Sequence, residues 1–134
     1  MRIIESQSGK REILEMIIYC YKKCSTCKKA VKFLENLKVD FKYVDYTENP
    51  LTKNQIREYW EKSGLTLKKF FNTSGILYRE FDMKNRLPDM TEDEQIEILS
   101  ENPKLIKRPL LILEDKVEIG FNEQEWKKTL KEEI

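Results

Sequence analysis

Met16-Ile17-Ile18-Tyr19-Cys20-Tyr21 is an apolar, aromatic and β-branched run that predicts a buried strand. The rhythm then changes. Cys27, Ala30, Val31, Leu34 and Leu37 recur at offsets of 3, 4, 7 and 10, one face of a helix. Phe41–Tyr46 alternates and is rich in β-formers, which predicts a second strand, and Asn49-Pro50 is a turn. Thr52-Lys53-Asn54-Gln55 has the spacing of a capping box and opens a helix with Ile56, Tyr59 and Trp60 on one face; Ser63-Gly64 ends it. A short helical piece is expected over Leu67–Phe71, then the polar loop Asn72-Thr73-Ser74-Gly75, then short helical turns over 76–88. Thr91-Glu92-Asp93-Glu94 is a second capping box, with Ile96 and Leu99 on the buried face, and Asn102-Pro103 breaks that helix. Leu110–Leu113, the turn Glu114-Asp115-Lys116 and Val117–Gly120 form a β-hairpin. Asn122 caps a last helix carrying Trp126 and Leu130, with Glu125 placed for the reciprocal bond.

The 134 residues suffice for one domain with a real core, and 40% hydrophobic against 37% charged residues describes a globular chain. With 25 basic and 24 acidic residues the net charge is +1, so no global field draws it to nucleic acid or a membrane surface. No run approaches the ~20 apolar residues of a membrane span, and Met1–Glu15 lacks the apolar core of a signal peptide. Three cysteines without an export signal predict a cytoplasmic protein, where paired cysteines serve catalysis or sensing more than stapling. Residues 1–15 show no clear period. They are expected to be an N-terminal extension, from an upstream start or an added helix, with Met16 the natural start and 16–134 the single domain.

Between the first strand and first helix stands Lys22-Lys23-Cys24-Ser25-Thr26-Cys27-Lys28-Lys29. A thiolate at Cys24 would face unsatisfied backbone N–H groups and the positive end of the helix dipole, and the four lysines add to that field. Cys27, on the apolar face, should be partly buried, with its pKa raised by desolvation. An exposed attacking thiolate and a resolving thiol three residues on could exchange a mixed disulfide for an intramolecular one. A structural zinc site is the other use of such a pair. It normally takes four ligands, and a chain with three cysteines and no histidine would need Asp, Glu or a second chain to complete it. No metal is expected. Cys20 should pack beneath the sheet as a small hydrophobe, or act as a third redox partner.

Strand, Cys-x-x-Cys, helix, strand, with a later hairpin and closing helix, is the plan of an α/β thioredoxin/glutaredoxin-like fold: a mixed sheet, its middle enlarged by a helical insert over about residues 50–106. Residues 19–30, Glu101-Asn102-Pro103, Lys107-Arg108-Pro109-Leu110 and Gly120-Phe121-Asn122-Glu123 together resemble the arsenate reductase/Spx family of bacterial thioredoxin-like proteins. The resemblance implies that Cys24 is the nucleophile and that Cys27 matches the second cysteine of Spx-like members. It also implies that Arg108 stands beside the reactive sulfur and that Pro109 is cis. Ser25 and Thr26, between the cysteines, and Pro109 are the expected substrate-binding residues.

Departures from the family pattern sharpen the expectation. Arsenate reductases of this type surround the oxyanion with three arginines. Here only Arg108 matches, the other positions falling near Thr73 and Phe121, with Arg79 or Arg86 the candidates to reach in from the insert. Their histidine four residues before the nucleophile is Cys20 here. Each missing charge-assisted contact is worth roughly 1.5–3 kcal/mol, so efficient arsenate reduction is not expected. The activity implied is thiol–disulfide exchange on a small-molecule or protein substrate, with glutathione or a protein dithiol as reductant and no bound cofactor. The alternative is an Spx-like redox-switched transcription regulator. Its partner would be the C-terminal domain of the RNA polymerase α subunit, with no direct contact to nucleic acid.

Overall fold

A computed structural model describes the backbone of residues 2–5, 11–14 and 16–133, and the side chains of 16–131. The central sheet is built on β3 (Ile17–Cys20), which runs parallel to β4 (Lys42–Asp45) and antiparallel to β5 (Leu110–Ile112); β6 (Val117–Ile119) pairs antiparallel with β5. The order β4-β3-β5-β6 is the mixed sheet expected. Ahead of it, β1 (Arg2–Glu5) and β2 (Arg11–Leu14) form a separate antiparallel ribbon pairing Arg2 with Leu14 and Glu5 with Arg11. A helix in this stretch is therefore corrected to two strands. Without a helical period to bury one face, pairing across the segment is what gives its backbone partners. The Ser6–Gly9 stretch lies outside the described residues.

Strand alternation divides the interior in two. Tyr19, Leu110 and Ile112 face the insert, where they pack with Ile56, Tyr59, Phe70, Phe71, Met83, Ile96 and Leu99. Ile18, Cys20, Leu111 and Leu113 face the other way, against Cys27, Ala30 and Leu34 of α1 (Ser25–Asn36) and Trp126 and Leu130 of α6 (Glu123–Glu133). Burying a large apolar side chain contributes about 1.5–3 kcal/mol, so both layers are needed to hold the sheet. Leu37, expected on the buried face of α1, is 40% exposed because the helix stops at Asn36 and the following turn carries it off the stripe.

Local chemistry sets the helix ends. Both capping boxes form: Thr52 with Gln55 opens α2 (Lys53–Ser63), and Thr91 with Glu94 opens α5 (Glu92–Glu101). Gly64, at φ 68°, terminates α2 in the left-handed conformation glycine adopts without strain. Asn122 Oδ1 accepts the Glu125 N–H at 3.0 Å at the start of α6. Between α2 and α5 lie a 3-10 turn at Leu67–Phe70, α3 (Ile76–Glu80), α4 (Met83–Arg86) and a second 3-10 turn at Leu87–Asp89, the short turns expected.

One stitch places the site. The Asn72 N–H donates to Leu105 O and the Lys107 N–H to Phe70 O, both at 2.8 Å, and Phe71 bridges Ile106. The chain before β5 is thereby fastened to the loop after Phe71, and both are carried to the end of the sheet where β3 hands over to α1.

Candidate active site

Cys24 is the N-cap of α1, with extended backbone (φ −89°, ψ 120°) and no side-chain capping bond. Its N–H donates to Tyr21 O at 2.9 Å, closing the turn out of β3, and its carbonyl accepts the Lys28 N–H at 3.1 Å, the first helical bond. The sulfur is left half-exposed at the mouth of a cleft.

Cys27 is buried one turn further on, in contact with Cys24 and with fully buried Cys20. The expectation that desolvation raises the Cys27 pKa is corrected. The Cys20 thiol donates a hydrogen bond to the Cys27 sulfur, which outweighs burial; the Tyr21 backbone N–H, Cys24 and Arg108 act in the same direction, and Cys27 is lowered to about 7. The same hydrogen bond, with burial, pushes Cys20 far up, so Cys20 keeps its proton and Cys27 becomes the anion. All three cysteines are free thiols.

Arg108 closes the other side. Its peptide bond to Pro109 is cis, as expected. The side chain is half-buried, and Nη1 donates to the Tyr46 hydroxyl at 3.2 Å and to Lys104 O at 3.5 Å. Tyr46 is itself fully buried and donates its hydroxyl proton to Ile106 O at 3.1 Å, so the guanidinium leans on a fixed post. Burial raises the Tyr46 pKa to about 12 despite the neighbouring cation. Burial also opposes the Arg108 charge, but Tyr46 and the Cys24 sulfur outweigh it and the guanidinium holds its proton more firmly than usual. Arg108 Nε is buried without a hydrogen-bond partner.

The cleft has a volume of about 760 Å³, and its lining includes Cys24, Thr26, Tyr21, Asn72, Lys104, Lys107, Arg108 and Phe121. Of the expected site residues, Cys24, Thr26 and Arg108 come together there, with Cys27 directly behind. Ser25 is exposed at the start of α1, and Pro109 is buried with its carbonyl accepting the Gly120 N–H at 2.8 Å; neither is part of the lining. Arg79 is exposed on α3 and Arg86 bonds Phe81 O, so neither reaches in. Lys22, Lys23, Lys28 and Lys29 are exposed outside the cleft, Lys22 reaching Glu48 at 3.2 Å. Beside Arg108, Lys104 and Lys107 also line it; neither was an expected site residue, since they sit some eighty residues from Cys24 in the chain and the resemblance gave a role to Arg108 alone. Tyr46 escaped the sequence reading too, looking like any strand aromatic. The only available signal was its place at the end of β4, level with the Cys-x-x-Cys turn. Among the described residues, no group of three or more Cys, Asp or Glu side chains is arranged to hold a metal ion, and no helix is long and apolar enough to cross a membrane.

The chain is similar to known proteins along most of its length. The ArsC family profile matches residues 19–129. An uncharacterized protein, YusI, of Bacillus subtilis is 45% identical over 113 residues, 84% of this chain and 96% of that one. The crystal structure of an ArsC family related protein from Bacteroides fragilis superposes with a TM-score of 0.83 at 39% identity, covering 87% of this chain and 98% of the other. The global transcriptional regulator Spx of Enterococcus faecalis is 24% identical over 119 residues, 89% of each chain. With a profile match over most of its length and a thioredoxin-like fold, the chain belongs to the ArsC family.

Proposed function

We propose that the protein is a thiol–disulfide oxidoreductase in which Cys24 is the nucleophile and Cys27 the resolving thiol. The observation that carries the reading is the unequal pair: Cys24 half-exposed at a cleft beside Arg108, and Cys27 buried in contact with it yet lowered to about 7. Cys24 attacks one sulfur of a substrate disulfide and the other leaves as a thiolate, held near the cleft's cations. Cys27 then attacks the Cys24 sulfur, the substrate's remaining thiolate departs, and a Cys24–Cys27 disulfide is left for glutathione or a protein dithiol to reduce. Arg108 is the one arginine in the cleft, so arsenate is expected to be a poor substrate.

Single-turnover exchange with a model disulfide tests this. Cys24→Ser should abolish it, and Cys27→Ser should accumulate a mixed disulfide, visible as an added mass that dithiothreitol removes. Undiminished exchange by Cys24→Ser would refute the mechanism.

A second reading is favoured by the match to Spx along 89% of both chains: a redox-switched regulator acting through the RNA polymerase α subunit, with no contact to nucleic acid. Capture of that subunit by Cys27→Ser protein from lysate, with or without reductant, would select this reading. Proteins released only by reductant would select the enzyme.

A further inference from the structure

The cleft carries charge of one sign. Lys104, Lys107 and Arg108 line it, no carboxylate does, and among the described residues no acid pairs with any of the three. In a chain of net charge +1 this is a local concentration, not a reflection of composition.

Two of the three cations share one aromatic ring. The Lys104 ammonium lies 5.0 Å from the Tyr21 ring centroid and the Arg108 guanidinium 5.4 Å from the same ring. Lys107 crosses Gly120 so closely that a Cβ there would sit 3.1 Å from its Cε, and Gly120 takes a φ of +74°. Ile76, 64% exposed, and Leu77 supply apolar lining. The volume is that of a site for a ligand of many atoms, not a bare oxyanion.

We propose that this cleft selects an acidic polypeptide: a segment whose disulfide-bonded cysteine is flanked by carboxylates, which meet Lys104, Lys107 and Arg108, and by an apolar side chain, which meets Ile76 and Leu77. The inference rests on the thiol–disulfide reading above and names the substrate class for that site. The chemistry balances without a further reagent. Cys24 and Cys27 each lose one electron to form their disulfide, and the substrate disulfide gains both and leaves as two thiolates.

The test uses three blocked peptides carrying Cys as the 2-thiopyridyl disulfide, which releases neutral 2-thiopyridone: Glu-Glu-Cys-Leu, Gln-Gln-Cys-Leu and Lys-Lys-Cys-Leu. Two carboxylates facing three cations should make the acidic peptide react about tenfold faster than the basic one at low salt, with the gap shrinking at high salt. The Lys104→Glu/Lys107→Glu variant should collapse or invert that ratio. Equal rates for acidic and basic peptides, or a ratio unchanged in the variant, would overturn the proposal. So would a glutathione mixed disulfide reacting as fast as the acidic peptide, since the polypeptide would then contribute nothing. Failure of the exchange chemistry is separated by a binding arm. Cys24→Ser protein should raise the anisotropy of a Glu-Glu-Ser-Leu peptide bearing an uncharged dye, and Lys104→Glu/Lys107→Glu should abolish the rise. Absence of binding to Cys24→Ser protein would overturn the proposal. Binding without exchange in the intact protein would sustain it and sink the oxidoreductase mechanism instead.

Discussion

Replacing Cys20 with alanine tests whether the thiol beneath the sheet sets the reactivity of the pair above it. Cys27 is lowered to about 7 chiefly by the hydrogen bond from Cys20. Bonds to charged groups contribute roughly 1.5–3 kcal/mol, and a thiol donor falls at the weak end. At 1.36 kcal/mol per pKa unit, its loss should raise Cys27 by about one unit. The sign follows from the state stabilised: the bond favours the anion, so removing it costs thiolate. At pH 7 the thiolate fraction should fall from about half to about a tenth, slowing resolution roughly fivefold. An aromatic disulfide such as dithionitrobenzoate gives the assay, because the first nitrothiobenzoate released reports Cys24 and the second reports attack by Cys27. The midpoint of the second phase should sit near pH 7 in the native protein and about one unit higher in Cys20→Ala, with the plateau at high pH recovered. Cys20→Ser keeps a donor and should hold the midpoint low, which separates the hydrogen bond from any effect of the small cavity. An unshifted midpoint in Cys20→Ala would refute the reasoning and leave Arg108 and the Tyr21 N–H as the source.

Other outcomes are expected of the same structure. Burial opposes the Asp45 charge, but bonds from the Thr47 hydroxyl and N–H at 2.5 and 2.9 Å outweigh it and hold its pKa below the ordinary value. Its stabilisation is therefore present above the unfolded pKa and lost as pH falls through the folded one. Asp45→Ala should cost about 1–3 kcal/mol in denaturant melts at pH 7, with the difference from the native protein shrinking towards pH 3. A pH-independent difference would contradict this. Tyr46→Phe removes the acceptor that seats Arg108 and should lower the ratio of iodoacetate to iodoacetamide alkylation at Cys24 about two- to fivefold, an anion-specific loss that a general loosening would not produce. Gly120→Ala places a side chain at φ +74° and should destabilise by about 1–2 kcal/mol, measured by thermal melting.

Much of this molecule was legible one residue type at a time. Continuous apolar runs placed β3 and the first strand of the hairpin, alternation placed β4 and a 3.6-residue period placed α1, because each pattern sets which faces of its element burial rewards. The two capping boxes located α2 and α5 for an equally local reason: a hydroxyl and a Gln or Glu three residues on satisfy N–H groups within the same turn. Cys24 at the strand-to-helix junction was likewise apparent, since its exposure follows from the two elements it joins.

What the chain alone determined, then, were the elements and the chemistry carried within a few residues of one turn. Tertiary structure decided which charges reach that chemistry. Lys22 and Lys28 are neighbours of Cys24 in sequence, yet they lie outside the cleft, while Lys104, Lys107 and Arg108 line it because the chain before β5 is stitched to residues 70–72. Tertiary structure also reversed the expected direction for Cys27. Burial argued from the helix face predicts a raised pKa, and it is the third cysteine, brought from β3 into hydrogen-bonding contact, that lowers it. Charge and hydrogen-bond fields fall off over a few ångströms of space, and separation along the chain does not measure that distance.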